Sequence, residues 1–264
     1  MPRALYRIAF LCHAASRGGV AIAKVFRHAI VVGASSGLGR EIALQLASTG
    51  CRTAVVGRRV DRLQELADRY PGAVLPFPHD VTQYEQVPSL FINITSMLGG
   101  LDLIVYAAGV MPEIGVSEFN FEKDRHIVEV NVLGAIAWLN QAATRFDGAG
   151  HGTIIGIGSV AGDRGRMGQP VYNMSKSALA TYLESLRNRL SRRGVNVLTI
   201  KPGPLQTEMT AHLGLRGAMP PEEAARRVLA SAHRNGELYL KPSHRLAFAI
   251  IKAIPSPIFR RLKI

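Results

Sequence analysis

The residues best suited to acid–base chemistry lie in the second half of the chain. Tyr172 and Lys176 are four residues apart, so on a helix the phenol and the ammonium share one face. A nearby ammonium favours the phenolate and lowers the pKa of a tyrosine. A phenol tuned in this way can give a proton to a carbonyl oxygen and take it back. The alternative interpretation is a pair of side chains that simply faces solvent.

Two further polar residues could join this pair. Ser159 ends the run 154–159, thirteen residues before Tyr172. Because open α/β sheets bind ligands at the carboxyl ends of their strands, the Ser159 hydroxyl could reach the same carbonyl oxygen. Asn131 lies in the helical run Val128–Leu139, a poor place for asparagine unless something uses its side chain.

A glycine-rich turn precedes the first predicted helix. Residues 33–39 read Gly-Ala-Ser-Ser-Gly-Leu-Gly. Glycines let the backbone turn tightly and approach a ligand closely, and the helix N-terminus offers free N–H groups and a positive dipole end to a pyrophosphate. This pattern predicts a dinucleotide site, and a tight turn with no ligand is the alternative.

The second predicted strand ends at Gly57, and Arg58 follows it. In a doubly wound sheet this position lies beside the adenosine ribose, where an acid binds the 2′-hydroxyl and an arginine accommodates a 2′-phosphate. Arg58 therefore favours NADP(H) over NAD(H). A solvated arginine at a strand end is the other interpretation.

Seven β-rich runs alternate with helical patterns. We predict strands at His28–Gly33, Thr53–Val56, Val74–Phe77, Leu101–Tyr106, Thr153–Ile157, Val195–Ile200 and Leu238–Leu240. This alternation predicts βαβ crossovers, and hence an α/β fold with a Rossmann-like doubly wound parallel sheet of about seven strands and helices on both faces. The simplest partition is one catalytic domain, 28–243, between a basic extension, 1–27, and a basic tail, 244–264.

Composition and charge narrow the classes of function. The chain has 264 residues, 47% of them hydrophobic, which is typical of a globular protein. Its two cysteines exclude a disulfide scaffold and favour a reducing, cytoplasmic setting. Residues 1–28 hold five Lys and Arg, residues 241–264 hold six, and neither segment has an acid, so the rest carries only +2 of the net +13. A nearly neutral body argues against nucleic-acid binding, and basic tails favour an anionic surface.

The two tails leave several interpretations open. No stretch has the roughly 20 apolar residues that a spanning helix needs. Residues 1–27 fit a surface-binding segment, a transit peptide or an extension from a misplaced start codon. Residues His244–Ile254 predict an amphipathic helix that Pro255 and Pro257 stop, followed by apolar anchors at Ile258–Phe259. We expect peripheral membrane contact, and the alternative is packing on the domain or on another subunit.

Together these motifs resemble the short-chain dehydrogenase/reductase family over about residues 28–240. The family's cofactor turn, adenine-contacting Asp-Val-Thr, catalytic tetrad and nicotinamide-binding loop all have counterparts in family order. The resemblance implies a catalytic tetrad of Asn131, Ser159, Tyr172 and Lys176. It also implies, together with Arg58, the cofactor-binding residues Gly33, Ser35, Ser36, Gly37, Leu38, Gly39, Asp80, Val81, Ala108, Gly109, Tyr172, Lys176, Pro202 and Thr207. No metal is expected.

The resemblance implies hydride transfer between nicotinamide and a carbonyl or secondary alcohol. Tyr172 would be the general acid, Ser159 would orient the carbonyl, and Lys176 would lower the tyrosine pKa and bind the ribose. Asn131 would position a water for proton relay. One segment departs from the family pattern: Asn-Asn-Ala-Gly reads Tyr-Ala-Ala-Gly at 106–109, which puts local packing in doubt.

The substrate is less well defined than the chemistry. The segment Glu208–Pro221, with Met209, His212, Leu213, Leu215 and Met219, would cap an apolar substrate. Residues 207–213 and 254–264 are similar to segments of a family member that acts on a lipid-linked sugar, the reductase subunit of decaprenylphosphoryl-ribose epimerase. A cofactor-binding scaffold without turnover is the alternative function. The family resemblance further implies a homodimer or homotetramer formed through the helices that carry Asn131 and Tyr172.

Overall fold

A computed structural model describes residues 26–214 and 217–262, with only the backbone given for His212 and Leu213. The predictions for residues 1–25, for Leu215 and for Lys263 therefore lie outside the described residues. Phe26, by contrast, is buried in the core, and the Arg27 N–H donates to the Asp102 carboxylate at 2.9 Å.

A single sheet of seven parallel strands forms the centre of the fold. The strands are β1 (His28–Val32), β2 (Arg52–Gly57), β3 (Val74–Pro78), β4 (Leu103–Tyr106), β5 (Gly152–Ile157), β6 (Val195–Lys201) and β7 (Gly236–Tyr239). Their order is β3-β2-β1-β4-β5-β6-β7. This confirms the predicted Rossmann-like doubly wound sheet.

Most predicted strand ends are within one residue of those observed, and two differ by two. β4 begins at Leu103 rather than Leu101 because Asp102 is used as a cap, accepting the N–H groups of Arg27 and His28. β7 begins at Gly236 rather than Leu238, since Gly236 already pairs with Leu198 of β6.

Nine named α-helices lie in the described residues. They are α1 (Gly37–Ser48), α2 (Val60–Arg69), α3 (Val87–Leu98), α4 (Phe121–Val128), α5 (Gly134–Ala149), α6 (Pro170–Leu190), α7 (Pro221–Ala230), α8 (Pro242–Ala253) and α9 (Ser256–Phe259). Short 3₁₀ turns occur at Tyr84–Gln86, Val160–Asp163 and Glu208–Leu213, and a π-helical turn at Glu129–Leu133 joins α4 to α5.

The strands are mostly apolar in their middle residues because both faces of the sheet are covered. Successive side chains of a strand point to opposite faces, so Val31 packs in a core with α1, α2 and α7. Its neighbours Ile30 and Val32 pack in a second core with α3, α5 and α6. Each layer of helices thus has its own hydrophobic core.

The strand order reverses between β1 and β4. In open α/β sheets the loops at the carboxyl ends of such strands diverge and leave a crevice for a ligand. The loops after β1, β4 and β5 therefore meet where the glycine turn, residues 106–109 and Ser159 are found.

The predicted C-terminal helix is present as α8, which ends at Ala253 before Pro255. Pro257 was expected to stop the helix, but it lies in the first turn of α9, where the missing proline N–H has no helical partner to lose. Within the described residues, none of the helices is long and apolar enough to cross a membrane.

Candidate active site

A cleft of about 670 Å³ opens at the carboxyl ends of the strands. Nearly all the predicted site residues line it, from seven separate regions of the chain: Gly33, Ser35, Ser36, Gly37, Leu38, Gly39, Arg58, Asp80, Val81, Ala108, Gly109, Ser159, Tyr172, Lys176, Pro202 and Thr207. Asn131 is the exception and lies behind the cleft wall. The fold thus gathers residues that are far apart in sequence around one cavity.

The glycine turn has no room for side chains. Gly33 has φ +88°, and a Cβ on it would lie 2.4 Å from the Ala108 backbone nitrogen. A Cβ on Gly39 would lie 2.2 Å from the Gly33 carbonyl oxygen. The helix N-cap, Ser36, makes no side-chain capping bond, so no cap side chain occupies the N–H groups of the first turn of α1. This bare backbone at a helix N-terminus fits the pyrophosphate of a dinucleotide.

Asp80 lies at the expected adenosine end of the cleft. Its Oδ1 accepts hydrogen bonds from the Thr82 N–H at 3.0 Å and the Thr82 hydroxyl at 2.9 Å, and Arg58 Nη1 lies 3.7 Å from Oδ2. Partial burial acts to raise the pKa of Asp80, but these bonds and the arginine charge outweigh it and hold the pKa below its ordinary value. The carboxylate is therefore ionised and fixed in place.

Arg59 reaches further into the cleft than the sequence suggested. Its Nη2 donates to the Ser35 carbonyl at 3.2 Å and its Nε to the Ser35 hydroxyl at 3.4 Å. Its Nη1 also pairs with Glu208 at 2.8 Å, across the mouth of the cleft. Arg58, the arginine chosen from the sequence, is 58% exposed. The sequence shows two adjacent arginines at this position, and only the structure distinguishes the contacts that each of them makes.

Tyr172 is in the first turn of α6, and its hydroxyl shares a hydrogen bond with Ser159. Burial raises the pKa of Tyr172 above its ordinary value of 10, whereas the Ser159 bond and the charge of Arg166 act in the opposite direction. The sequence identified the serine and the tyrosine. The sequence analysis did not identify Arg166, and the one indication of its role was its position in the loop between Ser159 and Tyr172.

Lys176 lies one turn after Tyr172 on α6, and its ammonium is bonded to the backbone of β5. Its Nζ donates to the Ile157 carbonyl at 3.0 Å and lies 5.7 Å from the centre of the Tyr172 ring. Burial lowers the pKa of Lys176 to about 8. Ser159 and Arg166 are the groups that oppose the effect of burial on the Tyr172 pKa, and a contribution from Lys176 stays a prediction.

Asn131 is fully buried in the π-helical turn Glu129–Leu133. Its Oδ1 accepts from the Val110 N–H at 2.8 Å, and its Nδ2 donates to the Val110 carbonyl at 3.1 Å and to the Ser175 hydroxyl at 3.0 Å. The side chain thus ties the segment after β4 to α6. Protein groups take both of its amide hydrogens, whereas the sequence led us to expect a water.

Tyr106, which replaces an asparagine of the family pattern, contacts the same π-helical turn. It is fully buried, and its hydroxyl donates to the Val130 carbonyl at 2.6 Å. The departure from the family pattern at 106–109, which put local packing in doubt, is accommodated because the phenol is buried and its hydroxyl donates to a backbone carbonyl of the π-helical turn.

The segment after β6 is only partly a lid. The Thr207 methyl lies 3.2 Å from where a Gly37 Cβ would be, and Met209 lines the cleft. Met219, expected in the lid, is buried in the core, and its N–H and carbonyl bond to Pro204 and Gln206. Its apolar side chain serves packing, and the side chains of His212, Leu213 and Leu215 lie outside the described residues.

The arrangement places a phenol, a serine hydroxyl and a buried ammonium beside a dinucleotide cradle. A phenol of raised pKa is protonated at neutral pH and can act as a proton donor. In the part of the chain that the structure describes, no group of three or more His, Cys, Asp or Glu could hold a metal ion.

Comparison with known proteins gives a consistent result. The family model described as short chain dehydrogenase matches residues 27–216. An uncharacterized oxidoreductase of Myxococcus xanthus is 40% identical over 189 residues, which cover 70% of this chain and 75% of that protein. An uncharacterized oxidoreductase of Mycobacterium tuberculosis is 32% identical over 188 residues, 69% of this chain and 74% of that one.

Solved structures agree with these sequence relatives. A short-chain type dehydrogenase/reductase from Mycobacterium marinum superposes with a TM-score of 0.75 at 29% identity, covering 83% of this chain and 95% of that one. A short chain dehydrogenase from Burkholderia cenocepacia, solved in complex with NADP, gives a TM-score of 0.78 at 25% identity, covering 90% and 98%. With the site geometry, these matches show that the chain belongs to the short-chain dehydrogenase/reductase family and is an NAD(P)-dependent oxidoreductase.

Proposed function

We propose that this protein is an NADP(H)-dependent oxidoreductase that acts on a carbonyl or the corresponding secondary alcohol. The observation that carries the proposal is the hydrogen-bonded pair of Tyr172 and Ser159 on the wall of the cleft that the glycine turn also lines. A bound nicotinamide dinucleotide supplies or accepts the hydride. The chain itself supplies the proton and the geometry.

In the reduction, Tyr172 donates its phenolic proton to the substrate carbonyl oxygen. Ser159 donates a hydrogen bond to the same oxygen and so fixes the carbonyl beside the phenol. Lys176, held by the Ile157 carbonyl, places a cation under this site, next to Gly109 of the cofactor cleft. Asn131 holds the segment at Val110 against α6 through its hydrogen bonds and does not contact the substrate. The same groups act in reverse for alcohol oxidation.

A cofactor-binding scaffold without turnover is the competing function. A scaffold is free to lose Tyr172 or Lys176, and this chain has both. The test is a panel of aldehydes, ketones and secondary alcohols, with short-chain, long-chain and polyprenyl-phosphate-linked members, each assayed with NADPH, NADH and their oxidised forms. Turnover of at least one compound supports an enzyme. Nicotinamide binding with no turnover across the panel would favour the scaffold.

An apolar or lipid-linked substrate is the class we favour. Val110, Met111, Pro112 and Met209 line the cleft and offer apolar surface beyond the catalytic pair. In the panel, long-chain and lipid-linked compounds should have lower KM values than short-chain ones. Equal KM values along a homologous series would contradict this assignment.

The cofactor preference is proposed from Arg58 and Arg59. Both line the cleft, and Arg59 is already in contact with Ser35. The Burkholderia cenocepacia relative was solved in complex with NADP, which is consistent with a 2′-phosphate at this position.

We expect Arg58→Ala and Arg59→Ala each to weaken NADPH binding by about 10-fold or more and to spare NADH. The reason is that a hydrogen bond to a charged group contributes about 1.5–3 kcal/mol. Dissociation constants from fluorescence titration measure the effect, and Arg62→Ala, an exposed arginine on α2, is the matched control. Tighter binding of NADH than NADPH by the unaltered protein would contradict the preference.

We also propose a cytoplasmic enzyme that associates peripherally with membranes through α8 and α9. Leu246 and Ile250 of α8 are 68% and 59% exposed, and Ile258 of α9 is exposed as well. Residues 241–264 contain no acid. Exposed apolar side chains with neighbouring cations are the requirements for binding an anionic lipid surface.

The final proposal concerns assembly. Two large apolar side chains are exposed along the helical segments that carry Asn131 and Tyr172, namely Leu133 at the end of the π-helical turn before α5 and Met174 of α6. These surfaces support a homodimer or homotetramer formed through the two helices. Light scattering at micromolar concentration should give two or four times the chain mass of 28.6 kDa, and a monomer would contradict the proposal.

A further inference from the structure

A buried ionic cluster lies directly behind the proposed catalytic serine. The 3₁₀ turn Val160–Asp163 follows Ser159, and its last residue, Asp163, has a carboxylate that is 1% exposed. Lys201, 5% exposed, donates to Asp163 Oδ1 at 2.7 Å and to Glu237 at 2.8 Å. The Tyr239 hydroxyl donates to Asp163 Oδ2 at 2.7 Å.

This cluster links two loops of the active site. Lys201 is the last residue of β6, directly before Pro202, which lines the cofactor cleft. A backbone hydrogen bond joins the same two loops, since the Val160 N–H donates to the Pro202 carbonyl at 3.0 Å. Buried ion pairs add little to stability compared with apolar packing. The free energy of folding therefore does not by itself explain why charged side chains occupy this position.

The C-terminal helices are attached to the same turn. Arg164, the residue after Asp163, donates to the Lys252 carbonyl at the end of α8 at 3.0 Å, and its guanidinium lies 4.4 Å from the centre of the Phe259 ring. The Phe259 side chain is 7% exposed, although the rest of α9 is exposed. Phe259 is thus buried against the turn, whereas the sequence suggested a membrane anchor.

A second contact joins α8 to the cofactor loop. A Cβ on Gly203 would lie 2.1 Å from His244 Cε1, so the imidazole packs directly on the Gly203 backbone. Gly203 lines the cleft next to Pro202. The helix α8 therefore meets the catalytic serine turn at one end and the cofactor loop at the other.

We propose that Asp163 and Arg164 are positioning residues for Ser159, and that α8 and α9 act through them as a brace that must be docked for full turnover. The proposal rests on the proposed role of Ser159 in the reaction. Because the outer face of the same helices carries the proposed membrane contact, displacement of the brace would change the rate of the enzyme without touching the substrate.

The test compares Arg164→Ala, a chain that ends at Ser243, and the two changes combined, using a carbonyl that the unaltered enzyme reduces. We expect each single change to lower kcat between about 3-fold and 100-fold, since small displacements of a catalytic group have effects of this size. In Arg164→Ala, which leaves the His244 packing on Gly203 intact, KM and the NADPH dissociation constant should stay within about twofold. The combined variant should lose no more than the truncated chain, because the truncation already removes the contacts of Arg164 with α8 and α9.

Arg226→Ala, an exposed arginine on α7, is the matched control and should keep the original kcat. Asp163→Asn keeps an acceptor for Tyr239 and should retain more activity than Asp163→Ala at temperatures where both are folded by circular dichroism. Unchanged kcat in Arg164→Ala and in the truncated chain would overturn the brace. So would an additive loss in the combined variant.

Failure of the proposed function would give a different pattern of results from failure of the brace. If Ser159→Ala and Tyr172→Phe keep full turnover, the assignment of the catalytic pair is wrong, whatever Arg164→Ala does. If both abolish turnover while Arg164→Ala and the truncation leave kcat unchanged, the catalytic pair stands and only the brace is wrong.

Discussion

At the scale of single residues, Lys176 has the least favourable environment in the cleft. The residue is 5% exposed, and its ammonium donates a hydrogen bond to the Ile157 carbonyl. Burial lowers its pKa to about 8, so the folded state holds this proton less tightly than the unfolded chain does. Burying this charge has a cost in stability, which is the pattern expected of a functional site and agrees with the proposed role of Lys176.

Lys176→Met should therefore stabilise the fold at pH 7, by up to about 3 kcal/mol, since one pKa unit corresponds to about 1.4 kcal/mol. Below pH 8 the lysine is charged in both states, and the full cost of burying it applies. Between pH 8 and about 10.5 only the unfolded lysine keeps its proton, so the stability of the unaltered protein rises with pH and the advantage of methionine shrinks.

Urea unfolding at pH 7 and near pH 10.5 measures this difference. Lys123→Met, a partly exposed lysine on α4, provides a control for the change of side chain. A methionine variant that is less stable at pH 7, or a gain that does not depend on pH, would contradict the account of Lys176.

At the scale of elements, the 3₁₀ turn Glu208–Leu213 contributes Glu208, Met209 and Thr210 to the lining of the cleft. Glu208 begins this turn and pairs with Arg59 at 2.8 Å, although both side chains are largely exposed. An exposed ion pair contributes about 0–1 kcal/mol. Its more important effect is on the cofactor, because Glu208 places a negative charge beside the proposed 2′-phosphate position and occupies one face of Arg59.

Glu208→Gln should strengthen NADPH binding by up to about fivefold, the factor that corresponds to 1 kcal/mol, and leave NADH binding unchanged. Fluorescence titrations at low and high salt measure both constants, and the gain should shrink with salt. Glu184→Gln, an exposed glutamate on α6, makes the same charge change away from the cleft. An equal gain for NADH and NADPH would show that Glu208 acts on something other than the 2′-phosphate.

Sequence patterns predict the elements better than the contacts between them. The strands follow from apolar runs, and the glycine turn follows from its backbone requirements at Gly33 and Gly39. The π-helical turn at Asn131 was not predictable, since helical periodicity does not distinguish one inserted residue. The pair of Asp163 and Lys201 was also missed because the two residues are 38 positions apart and each has an ordinary local context.

At the scale of the whole molecule, the C-terminal helices combine unbalanced positive charge with exposed apolar side chains. Arg245 and Lys252 of α8 and the basic residues after α9 accompany the exposed Leu246 and Ile250. The tail packs on the domain through Phe259, as the alternative interpretation expected, whereas membrane contact through the outward side chains stays a proposal. Phe259 faces the domain, whereas Leu246 and Ile250 face outward.

Full-length protein should co-sediment with phosphatidylglycerol vesicles at low salt, and less at about 0.5 M salt. Each basic residue near an anionic surface contributes about 1 kcal/mol, and salt screens it. A variant with Leu246→Ser and Ile250→Ser, which keeps every charge, should bind more weakly, and a chain ending at Ser243 should not bind. Equal partitioning of the full-length and shortened chains, or no binding at any salt concentration, would exclude the membrane contact.

The central claim, that this chain transfers a proton from Tyr172 while a nicotinamide transfers hydride, is tested most directly by one comparison. The rate at which NADPH reduces an accepted carbonyl is measured at saturating substrate for the unaltered enzyme and for Tyr172→Phe, together with the NADPH dissociation constant of each. We expect the rate to fall by about 10²–10⁴, the usual contribution of a general acid, while NADPH binding stays within about twofold. Turnover of Tyr172→Phe at the original rate would contradict the claim.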